Sequence, residues 1–208
     1  MNNIKKLIVI VGSGFAGINA AIQLRKNISN LSILVIDSKS QFEFKPLLYE
    51  VLSDEIQSWE VVPNFDTFFA NSGITFLRNT VNLIDLDEKF LILKDGLKVE
   101  FQYLILSTGS SPNDFSIKGV KEYSYFFNTN KDQQELKNHL KKPLLKNNCK
   151  KIFIIGAGPS GVELACKIKD LYQTKFEINI VEKTSEILNN KIFNKEEAQK
   201  AIEVKNIN

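Results

Sequence analysis

A glycine fingerprint that occurs twice decides most of what this chain can become. Leu7-Ile8-Val9-Ile10-Val11 runs straight into Gly12-Ser13-Gly14-Phe15-Ala16-Gly17, and Lys151-Ile152-Phe153-Ile154-Ile155 runs straight into Gly156-Ala157-Gly158-Pro159-Ser160-Gly161. Each aliphatic run lacks the polar alternation of a half-exposed strand. The first reads as a strand buried on two faces, as in a parallel sheet, and the second as a strand. Behind the first loop, Ile18 to Lys26 has helical spacing, and Leu31 to Ile36 is a second strand that ends on Asp37, 25 positions after Gly12. Behind the second loop, Val162 to about Tyr172 reads as a helix and Phe176 to Val181 as a strand that ends on Glu182, 26 positions after Gly156.

A lone GxGxxG is weak evidence, because glycines cluster in many turns. A strand before it, a helix after it and an acid at the end of the next strand make a dinucleotide-binding unit. Gly12 allows the tight turn, Gly14 lets a pyrophosphate approach the backbone, and Gly17 lets helix and strand pack closely. The helix start supplies free N–H groups and partial positive charge, and Asp37 can accept from a ribose diol. Gly156, Gly158 and Gly161 repeat the spacing. Two such units imply two dinucleotides, and hydride passing between them is the chemistry that follows. Glu182 would repel a 2′-phosphate and favours NADH, whereas Lys183 beside it pulls the other way.

Between the units, residues 38–62 have no period, and a loop of that length in a compact domain is usually functional. Pro63 to Asn71 reads as a short helix and Ile74 to Arg78 as a strand. Val81–Leu86, Phe90–Leu93 and Leu97–Phe101 form an antiparallel meander at about 80–102, with Asp95-Gly96 as a two-residue hairpin turn. Tyr103 to Leu106 is another buried strand, and Asn130 to Leu140 a Lys- and Gln-rich helix. Asn194 to Val204 reads as a helix with Asn194 as N-cap and Glu197 at N3. The fold class is α/β: two Rossmann-like βαβ units with an antiparallel meander, the second unit incomplete. The expected division is 1–127, a connecting helix at 128–147, and 148–208.

Composition narrows the function. With 208 residues and 43% apolar residues the chain is long enough for a packed core, and a formal net charge of +3 is too small for a nucleic-acid binder. Cys149 and Cys166 form no CxxC pair and no metal cluster with His139, so no metal site is expected and a reducing, cytoplasmic setting fits. The first strand begins almost at Met1, which leaves no room for a cleavable signal. The apolar runs are far too short to span a bilayer.

The segments VGSGFAGINAA (11–21), FEFKPLLYEVLSDEIQSWE (42–60), LILSTGSSPN (104–113) and IGAGPSGVELACKI (155–168) resemble the two-dinucleotide-binding flavoproteins. Within them they resemble the type II NAD(P)H:quinone oxidoreductases, above all the cyanobacterial and chloroplast branch. The resemblance covers essentially the whole chain. It implies FAD on the first unit, NAD(P)H on the second and a quinone as electron acceptor. It also implies that full-length relatives lie at the membrane surface, and it allows a homodimer.

The FAD contacts so implied are Gly12, Ser13, Gly14, Phe15, Ala16, Gly17, Asp37 and Ser38, with Lys45 and Pro46 beside the flavin ring. Val81 would meet the adenine through its backbone, and Thr108-Gly109 the pyrophosphate and ribityl. NAD(P)H would meet Gly156, Gly158, Pro159, Ser160, Gly161 and Glu182. Glu163 would lie near the nicotinamide and, with Lys45, take a catalytic role. Two plainer readings stand beside these: a carboxylate in the first helical turn is favoured by the helix dipole alone, and Lys45 can be a solvated loop lysine.

One departure from the family pattern is larger than any match. Family members continue through the rest of the second domain, a Gly-Asp segment that holds the ribityl, and C-terminal amphipathic helices. The chain as read stops before them, as a fragment or a truncated product. Two rival readings follow. A disulfide or ferredoxin reductase of the same superfamily is one, and its disulfide version needs a cysteine pair near the flavin. A non-catalytic nucleotide-binding remnant is the other.

Overall fold

The computed structural model describes residues 7–141, 151–188 and 194–208. In chain order the elements are β1 (Leu7–Val11), α1 (Phe15–Asn27), β2 (Ser32–Asp37), α2 (Leu48–Leu52), α3 (Ser58–Val61), α4 (Phe65–Phe69), β3 (Thr75–Arg78), β4 (Val81–Asp85), β5 (Phe90–Leu93), β6 (Lys98–Glu100), β7 (Tyr103–Leu106), α5 (Val120–Tyr123), α6 (Asn130–Lys141), β8 (Lys151–Ile155), α7 (Pro159–Tyr172), β9 (Glu177–Val181) and α8 (Lys195–Val204). They divide into two compact units, one of residues 1–45 and 58–130, the other of 46–57 and 131–208. Cys149 and residues 142–147 of the expected connecting helix lie outside the described residues.

In the first unit a parallel sheet runs in the order β3-β2-β1-β7. Both faces of β1 are used. Ile8 and Ile10 join Ile33, Val35, Ile18 and Ala21 of α1, and Phe65 and Phe69 of α4 in one core. Val9 and Val11 point the other way, into a second core with Ile36 and with Leu91, Leu93 and Phe101 around the meander. This double burial is why the run lacks alternation, and each fully buried aliphatic side chain contributes roughly 1.5–3 kcal/mol.

The meander β4-β5-β6 is present, but its tight turn differs from the sequence reading. Gly96 N donates to Leu93 O and Leu93 N donates to Leu97 O, 3.0 and 2.9 Å. Gly96 has φ +87°, whereas Asp95 is not among the positive-φ residues. A two-residue type I′ turn needs positive φ at both central positions, so this is a type I turn closed by a glycine bulge. β7 also departs from expectation: Tyr103 and Leu106 are 56% and 59% exposed, because β7 is an edge strand among the described residues.

In the second unit β8 and β9 pair in parallel from Lys151↔Glu177 to Ile155↔Val181. α7 seats Val162, Ala165 and Ile168 in the core. The 46–57 segment, which shows no period, forms α2 and is tied to this unit by side chains: Lys137 Nζ donates to Val51 O at 2.7 Å and also pairs with Asp54, and Lys167 reaches Glu55 at 2.6 Å. Asn194 caps α8 by accepting from Glu197 N, as its position predicts. Beyond α8 the backbone returns to the open edge of β9, where Asn208 bonds Ile178 O and Ile180 N at 3.0 and 2.7 Å.

Candidate nucleotide sites

The first glycine loop is held in place by the strand after the meander. Gly12 N donates to Ile36 O at 2.8 Å. The Ser107 hydroxyl donates to Gly12 O at 2.8 Å. A Cβ on Gly12 would lie 2.2 Å from Ser107 O, and one on Gly17 would lie 1.9 Å from Gly12 O. Loop, helix and strand β7 are thus packed backbone to backbone, which only glycine permits. Ser107 is a site residue that sequence reasoning passed over in favour of Thr108-Gly109. Its signal was present: a small polar residue at the end of a parallel strand.

At Gly14 an added Cβ would meet nothing within 4 Å, and the same holds at Gly158. Open space at this position is what a diphosphate needs to reach the backbone. The helices behind the loops agree. α1 and α7 have no side-chain cap and no acid in the first turn, whereas Asn64 and Asn194 cap α4 and α8. The two helices therefore leave their first N–H groups and positive ends for an anion. Both loops fit a dinucleotide.

The acids at the strand ends do something the spacing alone did not reveal. Asp37 Oδ2 accepts from Ser13 N at 2.7 Å and from the Ser13 hydroxyl at 2.8 Å, and Oδ1 accepts from Lys39 N at 2.9 Å. Glu182 repeats this: Oε2 accepts from Ala157 N at 2.7 Å, while Oε1 accepts from the N–H groups of Lys183 and Thr184. In each unit the carboxylate grips the middle residue of its own GxG. The Ala157, Lys183 and Thr184 N–H groups hold the Glu182 carboxyl below the usual carboxylate range.

A cleft of about 380 Å³ opens beside the first loop, lined by Val11, Gly12, Ile36, Asp37, Ser38, Val81, Leu106 and Thr108, with Asn79, Thr80, Asn82, Leu83 and Ile84 completing it. It lies at the carboxyl ends of the parallel strands. There β1 is flanked by β2 on one side and by β7, reached by a long crossover, on the other. Such a switch point is where doubly wound sheets bind ligands. Of the residues singled out in the sequence, Gly12, Asp37, Ser38, Val81 and Thr108 come together here. Asn82 escaped notice because it is a bulge: Val81 faces Leu93 and Leu83 faces Ile92, leaving Asn82 as the extra residue.

Lys45 and Pro46 do not line this cleft. Lys45 is no free loop lysine, since its Nζ donates to Asn128 Oδ1 at 2.8 Å. In the second unit α7 begins at Pro159, not Val162, because proline is favoured at the first helical position. Glu163 therefore sits in the second turn, where the helix dipole has already faded, and the dipole reading of this acid loses its ground. Its neighbour is Tyr49, whose hydroxyl donates to Ser160 O at 3.4 Å. Burial pushes the Tyr49 phenol up, Ser160 lowers it, and the Glu163 carboxylate raises it again. Among the described residues no cluster of His, Cys, Asp and Glu could hold a metal ion, and no helix is long and apolar enough to cross a membrane.

Residues 6–208 match the family described as pyridine nucleotide-disulphide oxidoreductase. The chain is 34% identical over its full length to a demethylphylloquinone reductase from Synechocystis sp. and covers 54% of it. It is 28% identical to an alternative NAD(P)H-ubiquinone oxidoreductase C1 from Arabidopsis thaliana, with 90% of this chain and 40% of that protein aligned. The chain thus spans about half the length, or less, of these curated relatives. An NDH2 structure from Plasmodium falciparum in complex with NADH superposes with a TM-score of 0.82 at 22% identity, covering 98% of this chain and 47% of that one. That identity carries the fold alone.

Proposed function

This chain belongs to the pyridine nucleotide-disulphide oxidoreductase family, and from that premise we propose that it is the nucleotide-binding part of a type II NAD(P)H:quinone oxidoreductase. FAD occupies the Gly12–Gly17 unit and its cleft, and NAD(P)H the Gly156–Gly161 unit. The observation that carries the reading is the repeated arrangement of an uncapped helix behind an open glycine loop, with an acid gripping the middle of each GxG. The similarity to a demethylphylloquinone reductase and to an NAD(P)H-ubiquinone oxidoreductase supports a quinone as the acceptor.

The bound nucleotides supply the hydride chemistry. The residues of the chain bind and orient. The α1 and α7 N-termini take the two diphosphates, Asp37 and Glu182 offer their free lone pairs to ribose hydroxyls, and Val81 flanks the adenine. Lys45 serves the flavin end and Glu163 the nicotinamide end. A peripheral position at a membrane surface and a homodimer belong to the same proposal.

The test is spectroscopic. The purified protein, or the apoprotein after incubation with FAD, is expected to show bound-flavin absorption bands that bleach anaerobically with NADH and return on addition of a soluble quinone. A protein that takes up no FAD would instead support the nucleotide-binding remnant.

A further inference from the structure

Residues 42–45 run with alternating sides. Phe42 and Phe44 turn to one side, Glu43 and Lys45 to the other, and every one of the four is engaged within the first unit. On the aromatic side the two rings meet Phe15, the first residue of α1 and a member of the glycine loop. Centroid distances are 5.0 Å to Phe42 and 5.2 Å to Phe44, edge to face, and 6.2 Å between Phe42 and Phe44. On the polar side Glu43 accepts from Asn130 N at 3.1 Å and from Lys39 Nζ at 2.7 Å. Lys45 donates to Asn128 at 2.8 Å. The backbone is pinned as well, by Phe42 N on Pro63 O and Phe44 N on Val61 O, both 2.9 Å.

A ring that is 50% exposed at the start of a phosphate-binding helix is a poor core residue. Its only ring partners among the described contacts are the two phenylalanines that flank Glu43. We infer that Phe15 is a positioning residue: through Phe42 and Phe44 it couples the glycine loop to the 42–45 segment, so that filling the loop also fixes the Lys45 ammonium. The glycine fingerprint tolerates many residues at this position, and a small one would remove the ring contacts between loop and segment, leaving the segment held by its backbone bonds, its polar side chains and the packing of Phe42 on the core. The inference deepens the proposed FAD reading and rests on it for the identity of the ligand.

The test separates the two. Hydrogen exchange of the FAD-free protein is measured for wild type, Phe15→Ala and Phe15→Tyr. The Phe42 and Phe44 amides are expected to exchange about tenfold faster in Phe15→Ala, as two lost edge-to-face contacts allow, while the Leu7–Val11 amides stay as they are. Phe15→Tyr restores slow exchange. In the FAD-loaded protein, Phe15→Ala and Lys45→Met shift the flavin absorption bands in the same direction, and the double variant shifts them no further than Lys45→Met alone. Unchanged exchange at 42–44 in Phe15→Ala, or additive band shifts in the double variant, would overturn the coupling. Failure of wild type to take up FAD overturns the flavin reading and leaves the exchange comparison to decide the coupling.

Discussion

Asp37 Oδ2 accepts from Ser13 N at 2.7 Å, across the turn that its own strand helps to form. The acid is therefore committed twice. It holds the glycine loop in shape before any ligand arrives, and it also lines the cleft together with Val81 and Thr108. Pre-organisation of this kind lowers the cost of ordering the loop on binding. Asp37→Ala should weaken FAD binding by about 1.5–3 kcal/mol, the value of a charge-assisted hydrogen bond. Flavin retention through gel filtration checks it, and full retention in Asp37→Ala would show that the acid is dispensable.

The second and third glycines of the first fingerprint, Gly14 and Gly17, separate binding from folding. Gly17→Ala drives a methyl to 1.9 Å from Gly12 O, against backbone that cannot yield cheaply. It should destabilise the first unit by several kcal/mol, on the order of the largest single-site effects. Gly14→Ala places its methyl in open space and should leave the melting temperature nearly unchanged while lowering affinity for FAD. Thermal unfolding without ligand and FAD titration give the two columns. Equal melting temperatures for Gly17→Ala and wild type would contradict the packing described.

Much of this site was legible because it is local. The fingerprint, the uncapped helix starts and the acid at each strand end sit within one βαβ unit, so spacing alone brings them together. The parts that escaped depend on register between distant strands. Ser107 braces Gly12 only because β7 pairs with β1, with Leu106 opposite Val11. Asn82 enters the cleft only because β4 gains a residue against β5. Tyr49 reaches Ser160 from 111 residues away, and nothing in an aperiodic stretch announces that. The hairpin was misread for a different reason: Asp-Gly suits both a type I′ turn and a type I turn with a glycine bulge, and only the backbone angles choose.

Glu182 makes the second loop sensitive to acid. Backbone N–H groups hold its folded pKa below the ordinary value, so its contribution is present above the unfolded pKa of about 4.3 and is lost as pH falls through the folded pKa. The Ala157 amide should therefore exchange faster in acid than the intrinsic rate change explains, and Glu182→Gln should remove that dependence. Glu182→Arg should also raise relative affinity for NADPH, because a cation would then meet the 2′-phosphate. Fluorescence titration with both nucleotides decides this. A wild type that already prefers NADPH would remove Glu182 from the selecting role.

The two units should differ in local stability. In β1, Val9 and Ile10 are 0% exposed and are covered on both faces. In β8 the pattern is uneven: Ile154 is 7% exposed, but its neighbours Phe153 and Ile155 are 60% and 74% exposed. The β8-β9 pair stands as a two-stranded sheet among the described residues, with Val181 also 44% exposed. Fewer buried contacts behind each backbone hydrogen bond mean cheaper opening. Amides of Ile152–Ile155 should exchange on the order of tenfold or more faster than those of Leu7–Val11. Exposed apolar side chains at an open sheet promote association, so Phe153→Thr with Ile155→Thr should reduce self-association in light scattering at a stability change within about 0.5 kcal/mol. Ile154→Ala should instead cost about 2–5 kcal/mol, because its side chain is packed in the core. Equal protection of the two strands in a monodisperse sample, together with a large loss of stability in the double threonine variant, would mean that Phe153 and Ile155 are covered in solution and that the second unit closes its own core.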